Sequence, residues 1–116
     1  MQIPDVFYDY CSFLHQDSFL AYGGTPEEVA AGALKAIKPA RWPQLRAFIE
    51  TLLTGPYSEA DLMKIIRSTS ADITPRGPDG ARKFLVFLRY LIDSGGVIPP
   101  DMLRVIRANV SRETPP

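Results

Sequence analysis

The chain has 116 residues, of which 46% are hydrophobic and 22% are charged, and its formal net charge is zero. These values are typical of one globular domain, and no apolar run approaches the roughly 20 residues that a membrane-spanning helix needs. The N-terminus lacks a positive charge followed by an apolar block, so we expect no secretory signal. Cys11 is the single cysteine, which excludes an internal disulfide and favours a cytoplasmic setting.

Charge is distributed unevenly along the chain. Residues 1–34 contain no Lys or Arg and carry a net charge of −5, whereas the remainder has 13 Lys and Arg against 8 Asp and Glu, a net charge of +5. The acidic third argues against nucleic-acid binding in that region and would suit a basic protein partner. The alternative is that the acidic third packs against the basic remainder of the same chain.

Apolar residues recur at helical spacing, which predicts six helical segments and no strand. The first runs from about Pro4 to His15, with acids on one side and apolar residues on the other. Thr25 is the predicted N-cap of the second helix, with Pro26 at its first position and Glu28 completing a capping box. The third begins near Trp42, which the following proline should push out of helical geometry.

The later segments also carry start signals. Ser58, with Asp61 three residues on, caps the fourth helix, and Asp79 is predicted to cap the fifth. The fifth helix is apolar around nearly its whole circumference, as is usual at the centre of a core. A last helix is expected at about 100–111, followed by a frayed tail at 113–116. The sequence therefore predicts an all-α, single-domain compact bundle of about six short helices spanning residues 1–116.

The single histidine, His15, follows Cys11 by four residues and precedes Asp17 by two. These residues supply too few ligands for a zinc site. A Cys11–His15 nucleophile pair would need an exposed thiolate in an electropositive setting, whereas acids and aromatic residues surround it. We therefore expect no catalytic residue, metal or cofactor. Instead, His15 and Thr25 are expected to hold the junction between the first two helices.

Four short motifs follow one another in order along residues 10–93. They are His15-Gln16-Asp17, the segment from Tyr22 to Val29, the segment from Ser58 to Leu62, and the turn from Pro75 to Gly80 before Phe84. This order resembles a family of small helical immunity proteins from bacterial contact-dependent growth inhibition systems. The resemblance implies a stoichiometric inhibitor rather than an enzyme. Such an inhibitor binds a cognate toxin domain in the cytoplasm and blocks its active or substrate-binding surface.

We accordingly predict an immunity-type protein that binds one toxin domain, with no nucleic-acid or membrane partner and an open oligomeric state. The resemblance implies that many such toxins act on nucleic acids and carry basic clefts, which an acidic patch of Asp5, Asp9, Asp17, Glu27 and Glu28 would complement. The predicted partner-binding residues are Asp5, Asp9, Gln16, Asp17, Tyr22, Glu27 and Glu28. The alternative is a general helical interaction or regulatory module without toxin specificity.

Overall fold

The computed structural model describes residues 2–15, 25–71 and 74–98. These ranges contain five α-helices: α1 (Asp5–Cys11), α2 (Pro26–Lys35), α3 (Trp42–Thr54), α4 (Glu59–Arg67) and α5 (Gly80–Asp93). A short 3-10 helix at Pro39–Arg41 leads into α3, and no strand occurs in the described ranges. The all-α prediction is therefore confirmed, with five helices where about six were expected. The predicted helix at 100–111 and the tail at 113–116 lie outside these ranges.

The longest of these five helices, α5, lies at the centre of the bundle. It packs against α2, α3 and α4, and its inward residues Leu85, Leu88 and Leu91 are completely buried. Its opposite side carries Val86 and Tyr90, which remain 43% and 40% exposed. The predicted central position of this helix is confirmed, and the reason is that apolar side chains on most of its circumference need neighbours on several sides.

Ion pairs join α3 to α5 along one edge. Arg46 donates two hydrogen bonds to Asp93, from Nε at 2.7 Å and from Nη2 at 3.1 Å. One turn further along α3, Glu50 accepts a hydrogen bond from Nη1 of Arg89 at 2.9 Å. Because the partners on α5 come in the reverse order, the two helices run antiparallel.

Two predicted helix starts are confirmed, and both depend on residues close together in sequence. Oγ1 of Thr25 accepts a hydrogen bond from the amide of Glu28 at 3.1 Å, and its hydroxyl donates to the Glu28 carboxylate at 3.1 Å. Ser58 and Asp61 form a reciprocal capping box, with side-chain to backbone distances of 3.1 and 3.0 Å. The hydrogen bond from the Ser58 amide lowers the pKa of the Asp61 carboxyl below its ordinary value.

The prediction for Trp42 is wrong, because this residue is helical, with φ −60° and ψ −40°. Its indole Nε1 donates a hydrogen bond to the carbonyl of Ile37 at 2.9 Å. The steric preference of a residue before proline is a bias rather than a prohibition. Trp42 thus adopts a helical backbone conformation while its indole is held by the hydrogen bond to Ile37.

The predicted end of the first helix is also wrong, because α1 ends at Cys11 and not at His15. The chain continues in tighter turns, in which the amide of Phe13 bonds to the carbonyl of Tyr10 and that of Leu14 to the carbonyl of Cys11. His15 therefore does not lie in the last helical turn, and the expected interaction with the carbonyl end of that helix does not apply to it.

Asp79 precedes α5 as predicted, but its side chain makes no capping hydrogen bond and its backbone is left-handed, with φ +56°. The cap comes instead from Glu59 of α4. Its carboxylate accepts hydrogen bonds from the amides of Ala81 at 2.5 Å and Arg82 at 3.2 Å. The prediction that Asp79 caps α5 is therefore wrong. The Glu59 carboxylate, which lies more than 20 residues earlier in the sequence, binds the amides that the Asp79 side chain would otherwise cap.

Candidate functional site

The inward side of α1 fastens this short helix to the bundle. Val6, Phe7, Tyr10 and Cys11 are completely buried, and the ring of Phe7 meets that of Phe48 edge-on at 5.0 Å between centroids. The Tyr10 hydroxyl donates a hydrogen bond to the carbonyl of Ala30 in α2 at 3.0 Å. Burial raises the pKa of Tyr10 well above its ordinary value, so this hydroxyl stays protonated and donating. These contacts hold α1 in one position, so the residues on its outer side are held in place as well.

That outer side carries Asp5, Tyr8 and Asp9, which we call the α1 outer face. All three residues are exposed, and Tyr8 keeps 40% of its surface in contact with solvent. Asp5 lies three residues before Tyr8 and four before Asp9, so the helical repeat places them on one side. Two of the predicted binding residues are thus brought together. Tyr8 was missing from the predicted set, although its helical spacing from Asp5 could have placed it there.

Asp9 contacts the basic part of the chain. Its Oδ2 lies 2.8 Å from Nη2 of Arg41, and the two side chains are 52% and 37% exposed. At this position, the acidic third does pack against the basic remainder, as the alternative interpretation of the charge pattern held. An exposed ion pair of this kind is weak, roughly 0–1 kcal/mol, so a partner could rearrange it at small cost.

Glu27 and Glu28 lie in the first turn of α2, and both are half-buried. Their negative charges stabilise the positive end of the helix, and Glu28 also meets the hydroxyl of the buried Thr25. Thr25 is accordingly the N-cap of α2, as the sequence predicted. The remaining predicted binding residues, Gln16, Asp17 and Tyr22, lie outside the described ranges.

Cys11 lies in the core, where burial raises the pKa of its thiol to about 12 and a hydrogen bond with the Thr69 side chain opposes that rise. A protonated, inaccessible thiol lacks the reactivity of a catalytic nucleophile. His15 is half-buried and lies four residues beyond the end of α1. Within the part of the chain that the structure describes, no three His, Cys, Asp or Glu side chains are grouped so that they could hold a metal ion.

No protein-family model, curated protein or solved structure matches this chain. Among the helices of the described ranges, none is long and apolar enough to cross a membrane. In the described structure, α1 has an anchored inner side and an exposed outer face that combines one aromatic ring with two carboxylates.

Proposed function

We propose that this protein is an immunity-type inhibitor that binds one cognate contact-dependent growth inhibition toxin domain in the cytoplasm. The order of the four sequence motifs suggests the family, and the observation that supports a binding role is the α1 outer face. Tyrosine is enriched among the residues that dominate binding energy, and paired carboxylates favour a basic partner. The protein acts by covering the toxin's functional surface and performs no chemistry itself.

The α1 outer face suits an arginine-bearing surface in particular. A guanidinium group can stack on the exposed ring of Tyr8 while it donates hydrogen bonds to the carboxylate of Asp5. Asp9 can exchange Arg41 for a toxin arginine, since both members of the existing pair are exposed. Because Tyr10 and its buried neighbours hold α1 in place, little conformational entropy is lost when the partner binds.

A protection assay tests the proposal directly. For this test, a candidate toxin domain is sought at the C-terminus of a large secreted protein in a neighbouring reading frame and is produced in cells with and without this protein. We expect growth only when both are present, and no protection against an unrelated toxin domain. Failure to protect against the candidate toxin domain would favour the alternative, a helical interaction module without toxin specificity.

Two variants test whether the α1 outer face makes the contact. Tyr8→Ala should raise the Kd for the toxin about 30-fold, as expected for a residue worth about 2 kcal/mol. Asp5→Lys should slow association and reduce its dependence on salt. Ala60→Lys adds a positive charge at an exposed position of α4 and serves as a control for a charge change away from α1. If the wild-type protein protects and both α1 variants bind the toxin as tightly and as fast as it does, the toxin contact lies on another surface.

A further inference from the structure

A second exposed surface lies on α5, on the side opposite the core. It consists of Lys83, Val86, Tyr90 and Asp93, which we call the α5 outer stripe, and all four residues are exposed. Their successive spacings of three, four and three residues place them within about 80° of the helix circumference. The same spacing defines the contact seam of paired helices in coiled coils.

The α5 outer stripe is symmetric about position 88. Val86 and Tyr90 lie two residues on either side of this position, and Lys83 and Asp93 lie five residues on either side. If a second copy of the helix is laid against the first in the antiparallel direction, each Lys83 faces the Asp93 of the other copy. Each Val86 then faces a Tyr90. The stripe is thus complementary to itself in both charge and apolar character.

We propose that two copies of this chain pair through their α5 outer stripes in an antiparallel, two-fold arrangement. Every contact then occurs twice, as in any isologous interface. The methyl groups of Val86 cover the exposed ring of Tyr90 and remove both from water, and the charged residues close the two ends. This pairing is independent of the proposed immunity function, because it uses α5 rather than the α1 outer face.

Asp93 can accept a lysine from a second copy without giving up its partner within the chain. Arg46 occupies two acceptor positions of the Asp93 carboxylate, whose side chain is still 51% exposed. A carboxylate offers about four acceptor positions in all. The ammonium group of Lys83 would therefore join an existing ion pair, and Arg46 would hold the carboxylate in position for it.

The expected dimer is weak. One face of a 14-residue helix covers less than the roughly 1,200 Å² at the lower limit of stable interfaces. We expect a dissociation constant of about 100 µM for the dimer. Sedimentation equilibrium can measure it with protein concentrations up to about 1 mM. A wild-type chain that remains monomeric throughout this range would overturn the proposal.

Charge reversal provides a test in which a folding defect cannot imitate the expected rescue. Lys83→Asp or Asp93→Lys alone should raise the Kd of self-association about tenfold, because each puts two pairs of like charges in contact. An equimolar mixture of the two variants should associate within about threefold of the wild type, since every end contact again joins opposite charges. A mixture that associates no better than either variant alone would refute the antiparallel pairing.

Disulfide trapping tests the register. The native Cys11 is buried, so Val86→Cys and Tyr90→Cys chains each expose one reactive thiol. On oxidation of a mixture, the disulfide between the two variants should predominate, because identical positions are offset by about 6 Å along the helix axis. Ala60→Cys is the control, because its exposed thiol measures how much disulfide forms when chains collide at random. Trapping no greater than this control, or a predominance of like-with-like disulfides, would contradict the proposal. A Val86→Cys thiol that does not react with a thiol reagent in the monomer would also contradict the proposal, because the chain itself would then cover the α5 outer stripe.

Discussion

Glu59 supplies the N-terminal cap of α5 although it belongs to α4. Its two carboxylate oxygens accept the amide hydrogens of Ala81 and Arg82, the second and third residues of α5. The first amides of a helix have no partner within the helix and need one from elsewhere. Removing this side chain by Glu59→Ala would therefore uncap the central helix of the bundle and detach α4 from it at this point.

The expected loss is about 2 kcal/mol of unfolding free energy. This figure takes each of the two hydrogen bonds at the ordinary net value of about 1 kcal/mol, and it lies at the upper end of the roughly 0.5–2 kcal/mol lost when an N-cap residue is replaced by Ala. Glu59→Gln keeps one oxygen acceptor but loses the charge, so we expect a loss of about 1 kcal/mol. Asp79→Asn is the matched control, because Asp79 makes no capping hydrogen bond and asparagine tolerates the left-handed backbone. It should change stability by less than about 0.5 kcal/mol.

Urea unfolding followed by circular dichroism measures these differences. With a slope of about 1.5 kcal/mol/M, Glu59→Ala should lower the midpoint by about 1.3 M, and Asp79→Asn by less than about 0.4 M. The reverse order, with Asp79→Asn the more damaging change, would show that the local carboxylate caps the helix in solution. Equal small effects would show that this end of α5 needs no side-chain cap.

Three other predictions concern buried and paired groups. Tyr10→Phe keeps the ring but removes the hydrogen bond to Ala30, so unfolding free energy should fall by about 1 kcal/mol in the same urea assay. Cys11 should react with a thiol reagent at mildly alkaline pH only after denaturation, because burial raises its pKa to about 12. Hydrogen bonding to Arg46 lowers the pKa of the Asp93 carboxyl below its ordinary value. The ion pair therefore adds stability at pH values above the pKa of this carboxyl in the unfolded chain, and that stability is lost as the pH falls. The stability gap between wild type and Arg46→Ala should therefore narrow as the pH falls below about 4.

Each of these predictions has a clear contrary result. An unchanged urea midpoint for Tyr10→Phe would show that the hydrogen bond from Tyr10 to Ala30 adds no net stability. The hydroxyl would then be stabilised equally by water in the unfolded chain. Rapid labelling of native Cys11 would show that the core around α1 opens readily. A stability gap for Arg46→Ala that is independent of pH would mean that the arginine stabilises the fold through its packing alone.

The local sequence was sufficient for much of the fold and for part of the candidate site. The periodicity of apolar residues placed α2, α4 and α5 and identified α5 as central, because burial of an apolar face follows directly from its pattern. The caps at Thr25 and Ser58 were predictable because each bonds to an amide three residues away. Asp5 and Asp9 were predicted on one side of the first helix, which needs only the helical repeat.

Tertiary structure decided the features that join distant residues. Glu59 and not Asp79 caps α5, since the carboxylate reaches this helix end only after α4 has packed against it. Asp9 meets Arg41 for the same reason, and that contact determines how much of the acidic charge remains available on the α1 outer face. Spacing along the sequence thus determined which residues share a helix side. Packing determined which of them acquire partners from other helices, because such partners are close only in the folded chain.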